Sequence, residues 1–140
     1  MGAAWPVAGA ALIVGVLGTL HLVYTFSGSR LHPRDESLIT HMQAVSPRLT
    51  RQTTIWRAGL GFHASHSLGA MLFAAVFASL ALAPGAPLFA MPVVAIAGAA
   101  YLLAMLVLAH RFWFRIPLLG LAAANVLYLG GLAAAWMSVV

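Results

Sequence analysis

The chain has 140 residues, 63% of them hydrophobic and 6% charged, with a mean hydropathy of +0.99. Its length allows one domain at most, and its composition excludes a water-soluble globule, because too little polar surface exists to cover such a core. The charge of +5 comes with seven arginines and no lysine, and the lack of cysteine excludes disulfides, thiolate metal sites and thiol catalysis.

Spans of about 20 apolar residues, one bilayer's worth, recur four times. The expected fold is therefore all-α: a transmembrane four-helix bundle with a short amphipathic interfacial helix between the first and second spans. Residues 1–140 form a single four-span membrane domain in this reading. The opening Met1-Gly2-Ala3-Ala4-Trp5-Pro6 lacks the Lys or Arg of a signal peptide, and the apolar run behind it is too long for one. It reads as a retained first span, from about Pro6 to about Phe26, ended by Ser27-Gly28-Ser29. Gly18, His21, Tyr24 and Thr25 share one face of it.

The segment from Arg30 to Thr54 is the only sizeable polar loop. Pro33-Arg34-Asp35-Glu36 opens a helix well, with Pro early and acids in the first turn. Leu38, Ile39 and Met42 then make an apolar stripe suited to a membrane surface. Ser46-Pro47 resembles a second cap, after which Arg48, Arg51 and Arg57 lead into the second span, apolar from about Ala58 to Ala83. Pro84-Gly85-Ala86-Pro87 is a tight uncharged turn. The third span follows from about Leu88 to His110, and the fourth from Pro117 nearly to Val140. Between them lies the aromatic, basic connection His110-Arg111-Phe112-Trp113-Phe114-Arg115.

This order puts all seven arginines (30, 34, 48, 51, 57, 111, 115) on one side of the membrane. The positive-inside rule makes that side cytoplasmic and both termini external. The expected location is a bacterial inner membrane, with the lipid bilayer as the first partner. The pI of 11.3 needs no nucleic acid to explain it, and no RNA- or DNA-binding motif is present.

Polar residues inside the spans gather in the cytoplasmic half. His21 and His63 lie ~9 Å below that face, His66 is a turn deeper, and Asn125 is level with His66. Imidazoles from two helices at one depth are what an axially bound haem, a pigment or a transition-metal ion requires. The expected cofactor ligands are His21, His63, His66, Tyr24 and Asn125, with the three histidines as the metal set. Gly18 and Gly59, one turn away, leave room for a flat ring. The plainer alternative is that these groups hydrogen-bond helices together, although buried ionisable groups in lipid are functional by default.

Elsewhere Arg57, Arg111 and Arg115 are candidates to contact anions or lipid headgroups. Gly61, Ser65 and Gly69 form a small-xxx-small strip for helix packing on the second span. Asp35 and Glu36, adjacent in sequence, suit helix capping rather than acid–base catalysis. Ser65-His66 has no acid for a triad, and the scattered methionines read as packing. The outer half holds nearly no polar group, so a through-path for ions or protons is not expected.

The architecture resembles that of small uncharacterised four-span bacterial membrane proteins. The length, the external termini and the basic loop entering Arg57-Ala58 also resemble the MAPEG family of four-helix, glutathione-dependent membrane enzymes. That resemblance implies an enzyme acting on a lipophilic substrate at the cytoplasmic face, and a trimer that could use the Gly61/Ser65/Gly69 strip. MAPEG members follow the Arg-Ala pair with Asn and Glu on the same helix. This span has Gly61 and Ala64 and no carboxylate, so no catalytic residue carries over. Three functions follow: a cofactor-binding subunit, a structural or assembly subunit of a homo-oligomer or larger membrane complex, or a membrane enzyme of the MAPEG kind.

Overall fold

The computed structural model describes residues 2–138, and among them there are helices, turns and irregular connections but no strand. Five α-helices follow in order: α1 Ala4–Phe26, α2 Glu36–Ala44, α3 Ile55–Leu82, α4 Pro92–Phe112 and α5 Arg115–Met137. All but α2 are long and apolar enough to cross a membrane. Only 28–39% of each span's most apolar window is buried. The outward remainder includes Leu12, Phe62, Leu72, Val93, Val107, Ile116 and Val126. A surface this apolar needs lipid, not water, against it.

The helix ends have local causes. Proline is tolerated in a first turn, where its missing N–H has no intrahelical acceptor. So α1 starts two residues before Pro6, and α5 starts two before Pro117. The apolar run predicts a third span from about Leu88, whereas the structure gives a 3-10 turn at Pro87–Ala90 and starts α4 at Pro92. Pro92 cannot donate back to the Leu88 carbonyl, which the Met91 N–H takes instead at 3.1 Å. The reversal before it uses Gly85 and Ala86, both at positive φ. Ser46-Pro47 starts no helix. Thr54 is the cap of α3, its Oγ1 accepting the Arg57 N–H at 3.3 Å. The fourth span ends at Met137, and Val139 and Val140 lie outside the described residues.

The chain sorts into two compact units. The first runs through Leu17 and resumes at Ala70, and it is a four-helix bundle. Its buried positions recur three and four apart: Ala70, Phe73, Phe77 and Ala81 on α3, and Ala95, Gly98, Leu102, Met105 and Ala109 on α4. Leu121, Ala124, Tyr128, Leu132 and Ala135 repeat the pattern on α5, facing Val7, Ala10 and Val14 of α1. That spacing keeps one stripe turned inward on each helix. The many alanines and glycines let backbones approach closely. At Gly131 an added Cβ would stand 2.8 Å from Val7 Cγ2 and 2.9 Å from the Ala3 carbonyl oxygen.

Asn125 is the polar tie of this bundle. Its Nδ2 donates to the Leu102 carbonyl of α4 at 3.0 Å and to the Leu121 carbonyl at 2.8 Å. Asn125→Asp removes both donor hydrogens and buries a carboxyl group. We expect destabilisation of about 1–3 kcal/mol, against about 0.6 kcal/mol for Asn125→Leu, which only deletes an interhelical bond. Denaturant titration in detergent reads the difference, and equal losses would refute the assignment.

The second unit, Gly18–Gly69, holds the end of α1, the polar segment, α2 and the start of α3. Asp35 caps α2, accepting from Ser37 Oγ at 2.7 Å and Ser37 N–H at 2.9 Å. Those bonds, the hydroxyl first, hold the Asp35 carboxyl below the usual aspartate range. The cap's contribution is thus complete above the ordinary value of ~4 and disappears as pH falls through the lowered one. Protection factors of the first-turn amides of α2, exchange rates divided into the unstructured rate at the same pH, should fall in acid over that window. Asp35→Ala should make them low throughout and flat with pH. The Ile55 N–H donates to the Val45 carbonyl at 2.9 Å and so ties α2 to the start of α3.

Candidate cofactor site

The second unit also brings histidines together. On α1, Gly18, His21 and Thr25 fall on one stripe, with Gly18 and Thr25 buried and His21 half-buried. On α3, His63, His66 and Ser67 do the same, and Ser67 is fully buried. The two hydroxyls do not compete for the rings. Thr25 Oγ1 donates to the His21 carbonyl at 2.8 Å, and Ser67 Oγ donates to the His63 carbonyl at 2.9 Å. Each thereby satisfies itself one turn back along its own helix.

The rings meet across the helices. His21 Nε2 and His63 Nδ1 are 3.1 Å apart. Their centroids are separated by 5.1 Å, with the planes tilted by 50°. One nitrogen must carry the shared proton and the other the lone pair, so the contact fixes complementary tautomers. His66 stands edge-on to His21, centroid to centroid 5.4 Å. His21 is thus the hub of three imidazoles. Among the described residues no group of three or more His, Cys, Asp or Glu is arranged to hold a metal ion directly. Of the chain's two side-chain carboxylates, Asp35 caps α2 and Glu36 lies in its first turn.

Beside His63 opens a cleft of about 340 Å³. Its walls come from Thr25 of α1, Leu31, His32 and Pro33 of the connecting segment, Met42 of α2, and Trp56, Gly59, Leu60 and His63 of α3. His32 stacks edge-on against Trp56 at 5.0 Å. In the sequence His32 stands in a polar loop, with no periodicity that assigns it to this wall. The apolar stripe with Met42 and the Trp at the mouth of the second span were the only hints.

No family model, curated protein or solved structure matches this chain.

The remaining candidates stand as follows. Tyr24 carries the Arg30 guanidinium over its ring at 4.5 Å, a cation–π contact. Asn125 belongs to the first unit, where its amide is engaged with two carbonyls and its Oδ1 lacks a partner among the described residues. Arg57, Arg111 and Arg115 are exposed. Gly61, Ser65 and Gly69 are exposed too, with no atom within 4 Å of a Cβ built on either glycine. Ser65 Oγ turns back to the Phe62 carbonyl at 3.0 Å.

Proposed function

We propose that this multi-pass membrane protein binds a transition-metal ion, or a cofactor centred on one, through His21 and His63, with His66 as third ligand. The observation that carries the proposal is the 3.1 Å approach of two imidazole nitrogens from separate helices. Metal–imidazole bonds of ~2.0–2.1 Å at a tetrahedral angle place their nitrogens ~3.3 Å apart. For a metal to take that place, the donor ring would move its proton to its other nitrogen so that both rings offer lone pairs, and the nitrogens would part by a few tenths of an ångström as the rings turn. His66, three residues along α3 and edge-on to His21, supports a third bond after a change of rotamer.

A haem held between the same two nitrogens fits less well. Two trans bonds of that length need ~4 Å and a flat slot between the rings. The arginine-bearing loops make the histidine side the cytoplasmic face, with both termini external and the host membrane a bacterial inner membrane. The test is elemental analysis and a visible spectrum on protein purified from its native host, followed by Co²⁺ titration of chelator-treated protein. Stoichiometric metal, and ligand-field bands that appear on titration, are expected. Blank analysis together with a featureless titration would dispose of the proposal.

A further inference from the structure

The cleft next to His63 has a chemistry of its own, which the metal reading does not use. It mixes aromatic and aliphatic wall with imidazole, and neither arginine nor carboxylate lines it. A phosphate or carboxylate headgroup would find no counter-charge there, and burying an unpaired charge is strongly unfavourable. A cation would meet no carboxylate there either, so the occupant is neutral. His32 and His63 can each donate or accept one hydrogen bond, according to tautomer, so the occupant carries oxygen or nitrogen at its edge. The Trp56 and His32 rings, set at 76°, offer an aromatic edge and face to a planar group. Leu60 and Met42 complete the wall with hydrocarbon and thioether.

The volume of about 340 Å³ lies at the small end of ligand pockets, roughly 300–1,000 Å³. It takes a substituted ring and excludes a diacyl lipid. Trp56 stands at the polar end of an apolar span, where aromatic side chains mark the membrane interface. An amphiphile travelling in the inner leaflet reaches the cleft without crossing water.

We propose that this cleft is a binding site for a neutral, membrane-borne carbonyl ring of the quinone class, its oxygens hydrogen-bonded by His32 and His63 and its ring against Trp56. The proposal does not rest on a bound metal. The test uses the full-length, chelator-treated protein in detergent, with decylubiquinone as the probe and tryptophan fluorescence as the readout. Quinones quench indole at contact, so the expected result is a saturable quenching component that is absent from Trp56→Phe. Leu60→Phe, which narrows the cleft without adding an indole, and His32→Phe, which keeps an aromatic edge but removes the donor, should each weaken it by about tenfold or more, 1.4 kcal/mol. Met42→Phe is the second filling variant should Leu60→Phe lose its helical circular dichroism. Quenching that rises linearly and equally in all variants would mean partition into the micelle and would overturn the proposal. So would displacement of the probe by phosphatidylglycerol but not by diacylglycerol, because the site would then recognise an anionic headgroup. Metal binding enters none of these outcomes, so the two proposals can fail separately.

Discussion

Gly98→Ala should be among the most damaging single-methyl changes in this protein. The Cβ it adds would lie inside contact distance of Tyr128 Oη and Phe77 Cε1, and 2.7 Å from Phe77 Cζ. Neither ring has anywhere to go. Tyr128 is 0% and Phe77 8% exposed. Phe77 stacks on Phe73 at 4.4 Å, and Phe73 stacks in turn on Tyr101 at 4.9 Å. Moving Tyr128 also breaks its hydroxyl's donation to the Ala95 carbonyl, 3.1 Å away. Overpacking costs about 1–3 kcal/mol and the lost buried hydrogen bond about 1 kcal/mol more. Alanine's better helix propensity returns roughly 1 kcal/mol, so a net loss of about 1–3 kcal/mol is expected in denaturant titrations. Tyr128→Phe removes the clashing oxygen. It should cost about 1 kcal/mol alone, yet lessen the damage when combined with Gly98→Ala, giving a coupling energy of at least ~0.5 kcal/mol. Additive losses, or a Gly98→Ala variant as stable as the parent, would show that these rings do not meet at Gly98.

This packing shows which parts of the fold could be read from residues. The spans were legible because each is an unbroken apolar run long enough for a bilayer, and Pro84-Gly85 could only be a turn. The start of α2 was legible too, since Asp35-Glu36 after Pro33 has few other uses. Where α4 begins was not. Leu88 and Phe89 are as apolar as the span they precede, and only the missing N–H of Pro92 separates the 3-10 turn from the helix. Likewise the sequence put Asn125 inside the membrane but could not say whether its amide faced a guest or a neighbouring carbonyl. That depends on a side-chain torsion, and the Leu102 carbonyl took the amide.

At the site, helical periodicity brought His63, His66 and Ser67 onto one face of α3 and His21 and Thr25 onto one face of α1. The pairing of the two faces followed from their common depth. The cleft is not legible in the sequence because its wall depends on the path of residues 27–35, including the positive φ of Gly28. Gly59 lines that cleft. The small-residue strip predicts packing, and within one chain there is open space beside Gly61 and Gly69.

His63→Gln separates the two roles an imidazole pair can play, and its effect on Co²⁺ affinity should be large. A glutamine amide can still donate to or accept from His21, so a purely structural contact would survive in altered form. An interhelical hydrogen bond in lipid is worth about 0.6 kcal/mol on average and about 1.7 at most. The stability of the variant should therefore change by no more than that. Metal binding has no such substitute, because an amide oxygen is a poor replacement for imidazole at a transition metal. Loss of a direct ligand should lower Co²⁺ affinity by more than the ~10–100-fold that follows from losing a supporting partner. His21→Gln should match it, since the two nitrogens share the ion. His66→Ala should do less harm, because that ring must first turn to reach the metal, and the Co²⁺ spectrum should shift as an outside donor takes its place. The ordering His21 ≈ His63 > His66, with stability nearly level across the three, follows from a pair poised to exchange its proton for a metal. If all three variants bind Co²⁺ as the parent does while His21→Gln and His63→Gln lose stability, the rings serve to join α1 to α3, and the metal site is not there.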